Sequence, residues 1–301
     1  MRDKNKFDVI IVGGSYSGLS AAMSLGRSIR TVLIIDGGKP CNAQTPHSHN
    51  FITLDGQTPK KISVIAKDQV EKYDTIKFHA GLAVSGTQTQ DGFTIKTQSA
   101  DVFSARKLIL TTGLKDIMPE LKGFSECWGI SILHCPYCHG YEVRNEKTGI
   151  LAQGEAAFEF MKLIQHWTKE LTLFTSRKST LSDEQTHQAK KHNIEIIETE
   201  IDGFEHVGGY IQNVLLRDTS KISVRATYAR AKFTQHSDLP VNLGCEMTEQ
   251  GLLKVDMFQK TTVARIYACG DNSSLVRSVS VSVSTGSIAG ALVNKEIIED
   301  Q

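Results

Sequence analysis

Phe7-Asp8-Val9-Ile10-Ile11-Val12-Gly13-Gly14-Ser15-Tyr16-Ser17-Gly18-Leu19 is the stretch that decides the fold. A nearly unbroken apolar run reads as a buried strand, a glycine-rich turn follows at once, and residues 19–25 carry small and apolar side chains at helical spacing. Thr31-Val32-Leu33-Ile34-Ile35 is a second buried strand, ending in Asp36. Strand, turn, helix and strand in this order form a βαβ unit of the dinucleotide-binding kind. There the first glycine permits the tight turn, the second lets the backbone approach a pyrophosphate, and the third lets helix and strand pack closely. Ser15 replaces the second glycine and is small enough to keep that approach open. The helix N-terminus offers N–H groups to the anion. Asp36 is placed to accept a hydrogen bond from a ribose hydroxyl, with a turn or helix cap as its alternative role.

Working outward, residues 41–59 are loop-rich, residues 59–73 read as a helix, and residues 76–97 hold short alternating strands broken at Gly81, Gly86 and Asp91-Gly92. Lys107-Leu108-Ile109-Leu110-Thr111-Thr112-Gly113 is another buried strand ending in a glycine. The βαβ pattern then repeats, with a strand over 148–151, a helix over 155–168 and a strand over 171–175. Residues 263–268 form a last buried strand that runs into Cys269-Gly270-Asp271, and open α/β sheets bind ligands at such strand ends. The expected class is α/β, with two Rossmann-like three-layer domains. Residues 277–284 alternate Ser and Val with period two, which by pattern alone argues a strand.

A chain of 301 residues with 40% hydrophobic content can fill two cores. A formal net charge of +1 without a long basic run predicts no nucleic-acid partner and no acidic membrane surface, leaving small molecules or proteins. Met1 to Lys6 lead straight into the first strand without the pattern of a signal peptide, and no segment approaches the roughly 20 apolar residues that span a bilayer. The expected location is the cytoplasm.

Six cysteines stand at 41, 127, 135, 138, 245 and 269, and only Cys135 and Cys138 are closely spaced, unlike a secreted disulfide framework. A Cys-x-x-Cys pair can close a small disulfide ring if the backbone turns. Pro136 suits the first position of a helix, which would put Cys135 near the cap, where a helix N-terminus favours a thiolate. His134 and His139 flank the pair, and an imidazole of ordinary pKa, about 6.5, is a proton carrier near neutrality. Two other readings stay open: zinc held by His134, Cys135, Cys138 and His139, or cysteines that are merely buried. Against zinc, adjacent residues rarely ligate one ion and no second Cys/His pair follows.

Taken together, the Gly13–Gly18 loop, the Thr111-Thr112-Gly113 strand end, the Cys135–Cys138 pair within a second βαβ unit and Cys269-Gly270-Asp271 resemble the low-molecular-weight thioredoxin reductases over nearly the whole chain. The resemblance implies an FAD domain built from residues 1–116 and 238–301, an NAD(P)-binding-like domain over 117–237 carrying the redox-active cysteines, and a homodimer. It assigns the FAD pyrophosphate to Gly13, Gly14, Ser15, Tyr16, Ser17 and Gly18, the adenosine ribose to Asp36 beside Gly37, and the ribityl chain to Asp271 beside Gly270. Asn42, Asn50, Ala83, Thr112, Gly113, Ser278 and Val279 are further FAD-contact candidates, and the family places a helix from about Ser278. Cys138 would exchange electrons with the flavin and Cys135 with the outside substrate. His139 stands where the reductases commonly carry an acidic proton donor. The string Cys-Pro-Tyr-Cys-His-Gly-Tyr-Glu from 135 to 142 is similar to a branch that includes flavin-dependent dithiol oxidases.

Where the reductases carry a second loop for NADPH, Gly-Gly-Gly-x-x-Ala, this chain has Ala152-Gln153-Gly154-Glu155-Ala156-Ala157. Of the basic pair expected near the 2′-phosphate only Arg177 remains, and an exposed strand end accounts for it better than a phosphate contact does. The expected function is electron exchange between FAD and a thioredoxin-like protein or small dithiol, with NADPH used weakly or not at all. The other electron partner is oxygen, a ferredoxin-like protein or NADPH. The alternatives are an NADPH-dependent thioredoxin-disulfide reductase and a non-enzymatic flavin redox sensor.

Overall fold

The computed structural model describes residues 5–300; residues 1–4, part of the stretch read for a leader, lie outside the described residues. The chain divides into two compact units. One comprises the residues up to Ala43, Phe51–Lys115 and Phe233 onward, and the other Gln44–Asn50 and Asp116–Lys232.

The first unit opens with β1 (Lys6–Val12), α1 (Tyr16–Arg27), β2 (Val32–Asp36), α2 (Pro59–Val70), β3 (Ile76–Ala80), β4 (Ala83–Thr89), β5 (Gly92–Thr97) and β6 (Val102–Leu110). β1 lies between β2 and β6, parallel to both. Val9, Ile10 and Ile11 are fully buried, because both faces of the sheet are covered, and the strand therefore reads as a continuous apolar run instead of alternating. α2 starts at Thr58, whose hydroxyl accepts from the Lys61 amide, with Pro59 at the first helical position.

The chain continues through β7 (Leu114–Ile117), α3 (Phe124–Cys127), β8 (Ile132–Leu133), α4 (Pro136–His139), β9 (Thr148–Leu151), α5 (Gly154–Ile164), β10 (Leu171–Phe174), α6 (Asp183–Lys191), β11 (Glu195–Ile197), β12 (Ile201–Val207), β13 (Tyr210–Leu216), β14 (Lys221–Ser223), β15 (Ala226–Ala229) and β16 (Lys232–Gln235). The second unit is built on a parallel sheet of order β11-β10-β9-β15-β8, with an antiparallel sheet β12-β13-β14 beside it in sequence. The joints fall after Lys115 and Lys232, against expected boundaries at 116 and 237. Residues 44–50 go with the second unit. There the Gln44 side-chain amide donates to the carbonyls of Ser125, Glu126 and Trp128 at 2.9, 3.0 and 2.9 Å.

The chain closes with α7 (Leu239–Asn242), β17 (Ile266–Ala268), a 3-10 turn over Asp271–Ser273 and α8 (Val279–Glu299). β17 pairs in parallel with β6 as the seventh strand of the first sheet. It is shorter than the strand expected from Val263, because Arg265 has a left-handed φ of 67° that interrupts extended structure. The Ser/Val alternation is helical, as the resemblance implied and against its own period. Ser278 caps α8 by accepting from Val281 N at 3.2 Å. A Cβ on Gly286 would stand 2.2 Å from the Ser17 carbonyl oxygen, and one on Gly290 2.5 Å from that of Ala21, so the two glycines let α8 lie directly on α1. Among the described residues no helix is long and apolar enough to cross a membrane.

Candidate active site

In the first unit the glycine loop is held by contacts that require glycine. Gly13 has a φ of 112°, and a Cβ there would meet the Thr111 carbonyl oxygen at 2.3 Å. Gly18 would place a Cβ 2.0 Å from the Gly13 oxygen. The Thr111 hydroxyl donates to the oxygens of Val12 and Gly13 at 3.0 and 2.7 Å, bracing the turn. Only its neighbour Thr112 was singled out in the sequence, although the Thr-Thr-Gly string held both. Ser15 is the N-cap of α1 and makes no side-chain cap bond, so its hydroxyl does not occupy the first-turn amides of α1.

Asp36, at the end of β2, accepts from the Gly14 amide at 2.9 Å, and a Cβ on Gly37 would meet Leu82, next to Ala83 at the start of β4. The Asn42 side chain donates to the Tyr16 hydroxyl at 3.3 Å. Asn272 Nδ2 donates to Leu110 O at 2.9 Å and approaches the Thr112 hydroxyl at 3.5 Å, tying the β6 end, followed by Gly113, to the Asp271 turn. Gly270 has a φ of 86°, and its amide donates to the Thr285 hydroxyl at 3.1 Å. Asp271 is mostly buried; burial pushes its carboxyl up, while Arg277 at 3.4 Å and hydrogen bonds from Cys41 and Ser282 pull it down. Ser278 and Val279 begin the helix behind it. The structure thus gathers the loop, Asp36, Gly37, Asn42, Ala83, Thr112, Gly113, Gly270, Asp271, Ser278 and Val279 in one unit. Asn50, with a φ of 59°, belongs to the second. A glycine cradle, an uncapped helix N-terminus and a buried carboxylate fit a dinucleotide such as FAD.

In the second unit Cys135 is the N-cap of the single-turn helix α4, with Pro136 at its first position. The sulfurs of Cys135 and Cys138 lie 2.6 Å apart, with Cys138 as donor. That contact lowers Cys135 below the ordinary thiol; burial opposes the shift, and the amides of Cys138 and Tyr137 add to it. The same bond, with burial, pushes Cys138 well up. The Cys135 thiol is thus the more acidic of the two, held down by its neighbour and by the amides at the start of α4. Cys127, Cys245 and Cys269 are buried with their thiols pushed up by desolvation.

His139 departs from the ordinary imidazole expected above: burial, then His134 and His49, push it down to about 4. It is a neutral proton acceptor at pH 7. It lines a cavity of about 320 Å³ with His47, His49, Glu142, Ile130 and Arg225, where His49 Nε2 lies 3.5 Å from Glu142. The sequence reading gave no role to His49 or to Glu142; Glu142 lies three residues beyond His139 in the chain, and only tertiary folding brings His49 near them. Tyr228 has a buried hydroxyl without a hydrogen-bond partner, pushed up by burial and by Cys135. Among the described residues no group of three or more His, Cys, Asp or Glu side chains converges on a metal site.

The family profile described as pyridine nucleotide-disulphide oxidoreductase matches residues 7–286. Thioredoxin reductase sirT of Leptosphaeria maculans is 31% identical over 96% of this chain and 93% of its own length. Thioredoxin reductase tcpT of Claviceps purpurea is 29% identical over 100% and 97%. The solved structure of an oxidoreductase from Agrobacterium tumefaciens has a TM-score of 0.91 at 33% identity, covering 98% of this chain and all of that one.

Proposed function

Because this chain belongs to the pyridine nucleotide-disulphide oxidoreductase family as a thioredoxin reductase-like flavin enzyme, we propose that it moves electrons between FAD and a substrate dithiol or disulfide through Cys135 and Cys138, with NADPH used weakly or not at all. The observation that carries this reading is the adjacency of the Cys135 and Cys138 sulfurs at the single turn of α4, with Cys135 as its N-cap and both side chains half-buried. Gly13 to Gly18 would hold the FAD pyrophosphate, Asp36 the adenosine ribose and Asp271 the ribityl chain. Bound FAD supplies two-electron donation and acceptance.

The exchange at the cysteines balances without further groups. The Cys135 thiolate attacks one sulfur of a substrate disulfide; that bond breaks and one substrate thiolate leaves. Cys138 then loses its proton and attacks the Cys135 sulfur, releasing the second substrate thiolate and closing the Cys135–Cys138 bond. The substrate gains two electrons and the pair loses two. Run in reverse, the same steps oxidise a dithiol. His139, one residue beyond Cys138, is neutral at pH 7, but with its pKa pushed down to about 4 it would be a weak base for the proton that Cys138 gives up unless substrate binding changes its surroundings.

The relatives' names support a thioredoxin-like partner, and the cavity beside His139 is of a size for a small molecule. A homodimer and a cytoplasmic location complete the proposal. Anaerobic stopped-flow mixing with NADPH, NADH and a dithiol in parallel tests it. The dithiol is expected to bleach the flavin and micromolar NADPH is not; fast, saturable bleaching by micromolar NADPH would make this an NADPH-dependent disulfide reductase.

A further inference from the structure

The two βαβ units permit an internal comparison. β1 ends at Val12 and continues into Gly13-Gly14, while β9 ends at Leu151 and continues into Ala152-Gln153. Gln153 therefore stands where Gly14 stands in the first unit. A Cβ on Gly14 would come within 2.8 Å of Asp36, so the loop sends no side chain into the crevice between the β1 and β2 ends. In the second unit the Gln153 side chain crosses the equivalent crevice. Its Nε2 donates to the carbonyls of Thr175 and Lys178 at 2.9 and 3.3 Å, and its Oε1 accepts from the amide and hydroxyl of Thr180 at 3.2 and 3.0 Å. All four hydrogen-bonding capacities of the primary amide are used. Gln153 is also the N-cap of α5, yet its side chain makes no cap bond and is committed entirely to the 175–180 loop.

The crevice outside adjacent parallel strand ends is where the pyrophosphate and adenosine ribose of a dinucleotide lie. We infer that Gln153 is a built-in plug that closes this crevice to pyridine nucleotides and so sets which redox partners the enzyme accepts, an inference that rests on the reading of weak NADPH use given above. A ligand entering here must break four hydrogen bonds that the loops already make to each other, in addition to meeting the lost glycines. Glu198 reinforces the closure. Its Oε1 accepts from the Ser179 amide at 2.9 Å, placing a carboxylate on the loop that would face a 2′-phosphate. An opened crevice would consequently take NADH ahead of NADPH.

The test titrates flavin-loaded wild type, Gln153→Gly and Gln153→Ala with NADH and NADPH by calorimetry, and records thermal midpoints. Wild type is expected to show no saturation below about millimolar nucleotide, and both variants to bind NADH at least about tenfold more tightly, with a smaller gain for NADPH. Both midpoints should fall as the bridge is lost. Wild type saturating at micromolar NADPH would overturn the weak-NADPH reading and the plug with it. Weak wild type together with folded, flavin-loaded variants that are no tighter would overturn the plug alone. Gln153→Ala keeps a side chain at the cap, so it decides the matter should the glycine variant not fold.

Discussion

Cys135 and Cys138 differ although the sequence presents them alike. The spacing made a redox pair legible, but which sulfur carries the charge follows from one hydrogen bond that only the folded turn creates. Alkylation of reduced protein by iodoacetamide should therefore rise with pH around a midpoint below that of an ordinary thiol. Cys138→Ser keeps a weaker hydroxyl donor and should move that midpoint only part of the way up, whereas Cys135→Ser should remove the fast-reacting thiol. His139 carries a second expectation. Its folded value of about 4 lies below the ordinary imidazole value of 6.5, so between these values the unfolded chain binds more protons. Stability should fall as pH drops from about 6.5 to 4, and His139→Gln should flatten that slope in denaturant unfolding measured across this window. The sequence offered no view of this shift, since the burial and the neighbours His134 and His49 are tertiary.

At the scale of elements, α8 is the case in which local pattern misleads. Serine and valine alternate like a strand, but Gly286 and Gly290 fit only against the backbone of α1, and Val293 and Ile297 are buried in the same core. Gly286→Ala should force α8 away from α1 at the loop-bearing end and loosen flavin retention, measured as flavin released on dilution. The far end of α8 holds a polar cluster. Lys107, 1% exposed, pairs with Glu296 at 2.6 Å and Asp300 at 2.7 Å, and Glu296 also accepts from Tyr267 and from Lys260. Burial alone would raise the Glu296 carboxyl, but hydrogen bonds from Lys107, Tyr267 and Lys260 hold it down to about 2. Its stabilisation is fully present above the ordinary carboxyl value of 4.5 and is lost as pH falls from there toward about 2. Glu296→Gln should cost about 1 to 2 kcal/mol in chemical denaturation at pH 7, because Lys107 keeps Asp300 as its charged partner and the site is partly screened by solvent. Lysine inside an apolar strand gave no hint of this cluster, whose members lie far apart in the chain.

For the whole molecule, the two βαβ units were legible because a glycine loop between a strand and a helix is a local signature. Residues 44–50 were less so, since the Gln44 bonds that fix them are long-range. The damaged second loop was visible as missing glycines, but the bridging by Gln153 was not, because a side chain's partners across a crevice leave no trace in spacing. Purified protein should be yellow with about one FAD per chain, and Asp271→Ala should lose flavin more readily than wild type on dialysis. The proposed route takes dithiol electrons to this flavin through the cysteine pair. It is tested most directly by anaerobic titration with a dithiol, following flavin absorbance in wild type and in Cys138→Ser. Wild type should bleach and the variant should hold its oxidised spectrum; equal bleaching in both, or none in wild type, would rule that route out.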